Sequence, residues 1–241
     1  MITLSADLHV HTLASGHAYC TIKEMAEAAD GKGLDMIAIT DHGVAMEGTC
    51  KPIYFYNLSA LPRKMGNVTL LRGIEANVVD MEARLDMDPH LLHRLEWVIA
   101  SLHENIVEPA SPELHTEMYL KLAANPLVDM IGHPESPAFA FDYERVIPEF
   151  GRCGKIVEIN NHHAYRLGKQ NEINCRRIAE LCMKHDVKIA VNSDAHIDCD
   201  VGNTGRALAM LDEIGFPEEL VLNAKSDRVL AHVEEKHPLF V

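Results

Sequence analysis

The chain has 241 residues, of which 47% are hydrophobic and 24% are charged, and its formal net charge is −14. This length suits one large domain or two small ones, and the composition is ordinary for a soluble globular protein. The acidic balance disfavours nucleic acid as a partner because it would repel the phosphates. The six cysteines include no C-x-x-C pair, so neither a disulfide framework nor a cysteine zinc knot is expected.

Apolar runs of strand length alternate with longer segments of helical period. The predicted elements are, in chain order, strand 4–10, helix 22–32, strands 36–40, 68–76 and 97–102, helix 113–124, strand 128–132, helix 143–150, strand 156–160, helix 171–185, strand 187–192, and helices 204–214 and 225–236. Thr21 is the expected N-cap of the first helix and Gly33 its stop. Residues 50–65 are left unassigned.

The order of these elements predicts the fold class. Alternating strands and helices, with strands that are apolar throughout, indicate a parallel sheet with helices outside it. Seven such units in one chain predict an α/β fold with a closed or nearly closed seven-stranded parallel barrel, and an open doubly wound sheet is the alternative. No linker divides the sequence, so residues 1–241 are expected to form a single domain.

Potential metal ligands follow nearly every predicted strand. The set contains seven histidines, one glutamate and one aspartate: His9, His11, His17, His42, Glu75, His103, His133, Asp194 and His196. Because the carboxyl ends of parallel strands meet on one face, these side chains are expected to gather around one mouth of the barrel. In each of the pairs His9/His11 and Asp194/His196, the spacing of two directs both side chains the same way along a strand.

Each of these residues has an ordinary reading when it is taken alone. His9 and His11 are typical of half-buried residues at the end of a strand, and His17 is typical of a loop histidine. Asp41-His42 is typical of a helix cap and its neighbour. Together, however, they would concentrate desolvated, repelling groups, which proteins tolerate when such groups pair or bind metal. Imidazoles mixed with carboxylates suit Zn²⁺, Mn²⁺ or Fe²⁺. Nine ligands exceed the needs of one ion, so we expect two or three divalent ions, with Zn²⁺ favoured.

Several motifs resemble the PHP (polymerase and histidinol phosphatase) superfamily. They are DLHVHT at 7–12, ITDHG at 39–43, GIE at 73–75, His103, GHP at 132–134 and NSDAH at 192–196. The resemblance extends from about residue 5 to about residue 235. The segments ASGHAY at 14–19 and RGIEAN at 72–77 look closest to the YcdX-type bacterial phosphatase branch.

This resemblance implies a distorted seven-stranded (β/α)7 TIM-like barrel with a trinuclear, zinc-type site. It assigns one ion to His9, His11, Glu75 and Asp194. It assigns a second ion to His17, His42 and His196. Glu75 would then bridge to a third ion, which His103 and His133 also hold.

The expected activity is metal-dependent hydrolysis of phosphate esters, with a small phosphorylated metabolite as substrate. A hydroxide bridging the ions would attack phosphorus, and Glu75, Asp194 and His196 are the expected catalytic residues. The donor of the leaving-group proton is left open between Asp194, His196 and a bound water. Three further candidates would orient a ligand or bind phosphate: Asp7 behind His9, and Arg166 and Lys169 after the sixth strand.

Other functions remain open at this point. They are a histidinol-phosphate phosphatase, a 3′–5′ exonuclease or phosphodiesterase, and, more distantly, a metal-binding protein without turnover. A metal-dependent amidohydrolase would need a lysine at a strand end, and none is found there. The remaining helix and tail histidines are expected on the surface: His90, His93, His115, His185, His232 and His237.

The sequence also predicts where the protein works. The opening MITLSADLHVHT has no basic segment followed by an apolar one, so no signal peptide is expected. No apolar run approaches the roughly 18 residues of a membrane span. We therefore expect a cytoplasmic protein with no membrane partner, and a homo-oligomer remains open.

Overall fold

The computed structural model describes residues 2–237, and strands and helices alternate along them. The strands are β1 (Ala6–Val10), β2 (Met36–Ile39), β3 (Lys64–Met65), β4 (Val68–Asn77), β5 (Trp97–Ser101), β6 (Met130–Ile131), β7 (Ile156–Asn160) and β8 (Ile189–Asn192). The helices are α1 (Ile22–Gly31), α2 (Pro52–Asn57), α3 (Pro89–Leu92), α4 (Pro112–Ala124), α5 (Tyr143–Arg152), α6 (Asn161–Arg166), α7 (Lys169–Lys184), α8 (Gly205–Ile214) and α9 (Ser226–Lys236).

The sheet is a nearly closed parallel barrel. Seven strands pair in the order β1-β2-β4-β5-β6-β7-β8, and the short β3 pairs antiparallel with β4. A parallel bridge between Val10 and Ala195 brings the first and last strands together. The barrel prediction is therefore confirmed, and the open sheet was the wrong alternative. The hairpin of β3 and the helices α2, α3 and α6 were not predicted.

The seam between β1 and β8 is closed by asparagine side chains in place of a regular ladder. Asn223 donates through Nδ2 to the carbonyls of Ala6 (2.8 Å) and Val191 (2.7 Å), and its Oδ1 accepts from the Val191 amide (3.0 Å). Asn192 Oδ1 accepts from the Leu8 amide at 3.0 Å. Fully buried amides thus satisfy backbone groups that would otherwise lack partners.

Asn223→Ala is expected to lower the free energy of unfolding by about 3–5 kcal/mol, because it leaves three buried backbone groups unpaired at roughly 1–3 kcal/mol each. Urea denaturation measures the loss. Asn67→Ala, at an exposed position before β4, is the matched control and should change stability by about 0.5 kcal/mol or less. A loss below about 1 kcal/mol for Asn223→Ala would contradict the role of this side chain in closing the barrel.

Local signals explain where the first helix begins. Thr21 Oγ1 accepts from the Glu24 amide (3.3 Å), and Glu24 Oε2 accepts from the Thr21 amide (2.7 Å), which forms a capping box. The helix buries Met25, Ala26 and Ala29 against the sheet. Gly33, in the left-handed region at φ +74°, lies just past its end. The predicted cap and stop are both confirmed.

The barrel interior is packed with apolar side chains below its polar mouth. One buried cluster includes Leu8, Met36, Leu71 and Trp97 together with Val229 of α9. The pairing register of β1 with β2 shifts between Asp7 and Val10. Such an irregularity re-aims side chains, so that β1 contributes both to this apolar interior and to the mouth above it. Within residues 2–237, no helix combines the length and apolarity needed to cross a membrane.

Candidate metal centre

All nine ligands predicted from the sequence lie together at the carboxyl-terminal mouth of the barrel. Glu75, on β4, is at the centre and is 1% exposed. Its Oε2 lies 3.5 Å from His9 Nε2, 3.5 Å from His11 Nε2 and 2.6 Å from His42 Nδ1. Its other oxygen, Oε1, lies 2.9 Å from His133 Nε2 and 3.5 Å from His103 Nε2. One carboxylate therefore faces two groups of imidazoles.

Asp194 joins the first of these groups. Its Oδ1 lies 3.1 Å from His11 Nε2 and 3.6 Å from His9 Nε2. Its Oδ2 accepts from Asn160 Nδ2 at 3.2 Å. The backbone of Asp194 is left-handed, with φ +54°, and so is that of His133, with φ +26°. Non-glycine residues hold this conformation only where their surroundings impose it, so the loops after β6 and β8 are set to direct these two side chains inward.

A third group lies at the outer edge of the mouth. His17 Nε2 and His196 Nε2 are 3.1 Å apart, although the two residues are far apart in the chain. The His17 ring centroid is 4.9 Å from that of His42 and 4.9 Å from that of His196. The first loop therefore brings His17 to the ends of β2 and β8, as the sequence predicted.

Several buried atoms of the cluster lack any hydrogen bond of acceptable geometry. They are His9 Nε2, His11 Nε2, His42 Nδ1 and Glu75 Oε2. Three compact donor sets occur within the described residues: His9/His11/Glu75, His11/His42/His196 and His42/Glu75/His103. Buried polar atoms normally have partners, and mixed nitrogen and oxygen donors suit divalent transition ions. The residues present therefore fit divalent metal binding.

The electrostatics of the cluster favour a bound cation. Burial opposes ionisation of Glu75, but His42, His9 and His103 hold its pKa well below the usual range. Burial, followed by the neighbouring His42 and His196, pushes the pKa of His11 well down. Ionised carboxylates and neutral imidazoles are the forms that bind metal. Despite its burial, the pKa of His9 is raised by Glu158, Asp194 and Glu75, which shows the negative charge concentrated there.

Glu158, in the middle of β7, is the main residue that the sequence reasoning missed. Its Oε1 accepts from His9 Nδ1 (2.8 Å) and Asn192 Nδ2 (2.9 Å), and its Oε2 accepts from the His133 amide (2.8 Å) and Asn160 Nδ2 (3.2 Å). By holding His9 Nδ1, it leaves Nε2 facing the cluster. The signal available in the sequence was a lone charge inside an apolar strand, IVEIN.

Three other ring nitrogens are fixed in the same way. His103 Nδ1 donates to Asn77 Oδ1 at 2.8 Å, and His196 Nδ1 donates to the carbonyl oxygen of Asp194 at 3.0 Å. His11 Nδ1 lies 3.0 Å from Ser15 Oγ, whose hydroxyl donates to Asp41 Oδ1 at 2.7 Å. In each case Nδ1 is occupied and Nε2 faces the cluster, towards Glu75 for His103, His17 for His196 and Asp194 for His11.

Two aspartates outside the donor set organise the loops that carry it. Asp41 accepts from the Thr12 amide (2.7 Å), Thr12 Oγ1 (2.8 Å) and Tyr54 Oη (2.6 Å), in addition to Ser15. Asp86 accepts from the Asn77 amide (2.9 Å) and Asn77 Nδ2 (2.6 Å). It also requires glycine at position 43, where a Cβ would lie 2.3 Å from Asp86 Oδ1.

The three further residues that the sequence proposed for orienting a ligand or binding phosphate do not contact the side chains of the cluster. Asp7 accepts from Ser193 Oγ, from the Ser193 amide (3.2 Å) and from the Gly202 amide (2.8 Å). It thus anchors the loop after β8 and does not contact an imidazole. Arg166 Nη2 pairs with Asp200 at 3.2 Å, and Lys169 is exposed at the start of α7. Neither cation lines the cavity above the cluster.

Two of the histidines expected on the surface are instead buried. His115 accepts from the Ala110 amide at 2.8 Å through Nε2 and donates through Nδ1 to Ala140 O at 2.9 Å. His237 is 5% exposed, and its Nε2 lies 3.2 Å from Asp129. The prediction was wrong for these two because His115 satisfies both ring nitrogens inside the fold and His237 faces the buried carboxylate of Asp129. His90, His93 and His185 are exposed as expected. The side chain of His232, also expected on the surface, is only 9% exposed, and its Nε2 lies 3.5 Å from Asp129 Oδ1.

A cavity of about 560 Å³ opens above the cluster. Seven of the nine predicted ligands line it, and His9 and His11 lie beneath. His162 and His163 of α6 complete one wall, and the His163 ring stacks on that of His133 with centroids 4.3 Å apart. The volume is in the range of small-molecule sites.

The chain is similar to known proteins in sequence and in fold. A model of the PHP domain family matches residues 7–162. A probable phosphatase of Acetivibrio thermocellus is 41% identical over 230 residues, with 95% of each chain covered. A probable phosphatase of Caldanaerobacter subterraneus subsp. tengcongensis is 43% identical over 236 residues, with 98% of this chain and 93% of that one covered.

Two solved structures share the fold. One is the histidinol phosphate phosphatase of Lactococcus lactis in complex with zinc, L-histidinol and phosphate, with a TM-score of 0.60, 15% identity, and 88% of this chain and 94% of that one covered. The other is a putative histidinol phosphatase of Listeria monocytogenes, with a TM-score of 0.62, 14% identity, and 84% and 99% covered. At this identity the likeness establishes the architecture alone.

Proposed function

This chain belongs to the PHP domain family, and on that premise we propose that it is a metal-dependent phosphoesterase that hydrolyses phosphate monoesters of small metabolites. The observation that carries the proposal is the position of Glu75, whose two oxygens face separate groups of imidazoles at the floor of an open cavity. Relatives that share about two fifths of their residues with this chain are named probable phosphatases.

We assign the ligands as the family resemblance and the distances suggest. His9, His11, Glu75 and Asp194 would hold one ion, and His17, His42 and His196 a second. Glu75 would reach a third together with His103 and His133. Two to three ions are therefore proposed, with zinc favoured over manganese or iron because imidazole nitrogens dominate the donors. We further propose that residues 1–241 act as one domain.

Divalent ions held there would supply positive charge for the phosphate oxygens and hydroxide at neutral pH. The chain's own residues fix where the ester binds. Asp194 and His196 line the cavity and are the proposed catalytic residues beside Glu75. Glu158 keeps His9 in one ring orientation, so that the donors need not reorganise during the reaction.

The alternatives are less well supported. A polynucleotide substrate would meet a chain of net charge −14 and cavity walls that include no lysine or arginine. A purely structural metal site would be closed, whereas this one opens into a cavity. Histidinol phosphate remains one candidate substrate, since the Lactococcus lactis structure holds L-histidinol and phosphate.

The zinc-loaded protein is expected to hydrolyse p-nitrophenyl phosphate and to lose that activity in excess chelator, with recovery when zinc, manganese or iron is returned. Elemental analysis before and after chelation should follow the loss. Histidinol phosphate and a single-stranded oligonucleotide complete the panel. Faster degradation of the oligonucleotide than of every monoester would overturn the monoesterase proposal, and chelator-resistant activity would overturn the metal dependence.

A further inference from the structure

A second cavity, of about 520 Å³, lies beside the one above the cluster. The two share His103, Asn105, His163 and Leu167 in their walls. They therefore adjoin, and a phosphate ester bound over the cluster has a space next to it for its alcohol portion. The volume is large enough for a small metabolite.

The walls of this second cavity combine an apolar surface with free polar groups. Leu102 and Phe139 are buried and supply apolar contact. Ser136 and Asn171 are 8% and 5% exposed, and within residues 2–237 neither side chain has a hydrogen-bond partner. Asn105 donates to Met46 Sδ at 3.3 Å and keeps its carbonyl oxygen available. These groups can donate to and accept from the hydroxyls of a bound alcohol.

Apart from the histidines, every ionisable side chain in the walls of the two cavities is a carboxylate. Their walls include Glu47 and Glu104 but no lysine or arginine. The nearby guanidinium of Arg166 is paired with Asp200. A second anionic group on the substrate, beyond the phosphoryl group, would find no lysine or arginine in these walls to offset its desolvation.

We propose that this second cavity is an alcohol subsite, which accepts an uncharged or amine-bearing polar alcohol and discriminates against alcohols that carry a carboxylate or a second phosphate. The proposal rests on the proposed phosphomonoesterase function. It narrows the substrate class to phosphate monoesters whose only anionic group is the one that is hydrolysed.

Four monoesters test the subsite: p-nitrophenyl phosphate, glycerol 3-phosphate, phosphoethanolamine and 3-phosphoglycerate. In one zinc-loaded preparation, kcat/KM for 3-phosphoglycerate should be at least about tenfold lower than that for glycerol 3-phosphate, because its carboxylate would lose water in a cavity whose walls offer no lysine or arginine. Phosphoethanolamine should equal or exceed glycerol 3-phosphate. Equal values for 3-phosphoglycerate and glycerol 3-phosphate would overturn the proposal.

Leu167→Lys supplies the missing cation. Leu167 lies in the wall shared by both cavities and is 58% exposed, so lysine is tolerated there. The ratio of kcat/KM for 3-phosphoglycerate to that for glycerol 3-phosphate should rise about tenfold. Asn67→Lys adds the same charge before β4, at the opposite end of the barrel, and should leave the ratio unchanged.

The ratio does not depend on the fraction of active enzyme, because both substrates meet the same preparation. An unchanged ratio in Leu167→Lys, or an equal rise in Asn67→Lys, would overturn the alcohol subsite while hydrolysis of p-nitrophenyl phosphate still supports the proposed function. Failure to hydrolyse all four esters would instead overturn the function itself.

Discussion

Glu75→Gln is expected to lose at least one equivalent of bound metal and to lower kcat for p-nitrophenyl phosphate by about 10³-fold or more, since metal ions contribute several kcal/mol to such reactions. Glutamine keeps the size of the side chain but removes its negative charge and one good ligand oxygen. Elemental analysis and steady-state kinetics measure the two effects, and circular dichroism checks the fold.

The size of this effect follows from the position of the side chain. Oε2 of Glu75 lies 3.5 Å from both His9 Nε2 and His11 Nε2, whereas Oε1 lies 2.9 Å from His133 Nε2. The other donors are imidazoles apart from Asp194, so two carboxylates must offset most of the charge of the ions. A carboxylate that serves two groups at once also sets the spacing between them, and an amide does neither.

Two variants make the comparison specific. His17→Ala removes one exposed donor from one group, and we expect it to lower kcat by only about tenfold, within the range for lost metal-site contacts. Glu47→Gln neutralises a carboxylate in the cavity wall that lies outside the donor set and should keep the full metal content. If Glu75→Gln keeps full metal and near-native kcat, Glu75 does not bridge, and the assignment of three ions is wrong.

The sequence could predict the barrel and the gathering of the nine donors for one physical reason. Parallel strands end on one face, so residues that follow separate apolar runs, such as His42, His103 and His133, must meet there. The structure brings all nine together, and their role as ligands stays a prediction. The first helix was equally predictable from the sequence, because its cap at Thr21 and Glu24 and its stop at Gly33 depend only on residues that are close in the chain.

The rest depends on partners far apart in the chain. Glu158 contacts His9 across 149 residues, and Asn223 contacts Ala6 across 217. Neither residue stands in a motif whose spacing reveals such a contact. Asp7 stands two residues before His9, which suggested that it would orient the ring, but its carboxylate turns to Ser193 and Gly202. The register shift in β1 breaks the period of two on which that expectation depended.

Two short elements, the strand β3 and the helix α6, could not be predicted from the sequence either. β3 has two residues, and its pairing with β4 rests on a turn at Gly66, whose φ is +59°. In α6, the N-cap is Asn160, whose Oδ1 accepts from the His163 amide at 2.8 Å. The sequence there, NHHAYR, has no apolar period, so its helical character comes from this cap and from tertiary packing.

Glu158→Gln tests whether a residue that contacts no substrate controls the cluster through His9. Four donors converge on the Glu158 carboxylate, namely His9 Nδ1, Asn192 Nδ2, Asn160 Nδ2 and the His133 amide. A glutamine can accept at only one oxygen, so whichever way the amide is turned, its NH₂ group faces donors that it cannot satisfy. We expect metal affinity and kcat/KM to fall by about 10–100-fold, together with a loss of roughly 1–3 kcal/mol in stability from the unpaired buried donors.

The readout that separates ring positioning from general destabilisation is the metal titration. If Glu158 acts by fixing His9, raising the zinc concentration should restore much of the activity of Glu158→Gln, because the donors remain and only their arrangement is weakened. Glu180→Gln, on the outer helix α7 and half-exposed at 40%, is the matched control and should titrate like the parent protein. A Glu158→Gln protein that is less stable but binds zinc with unchanged affinity would show that the carboxylate supports the fold without positioning His9.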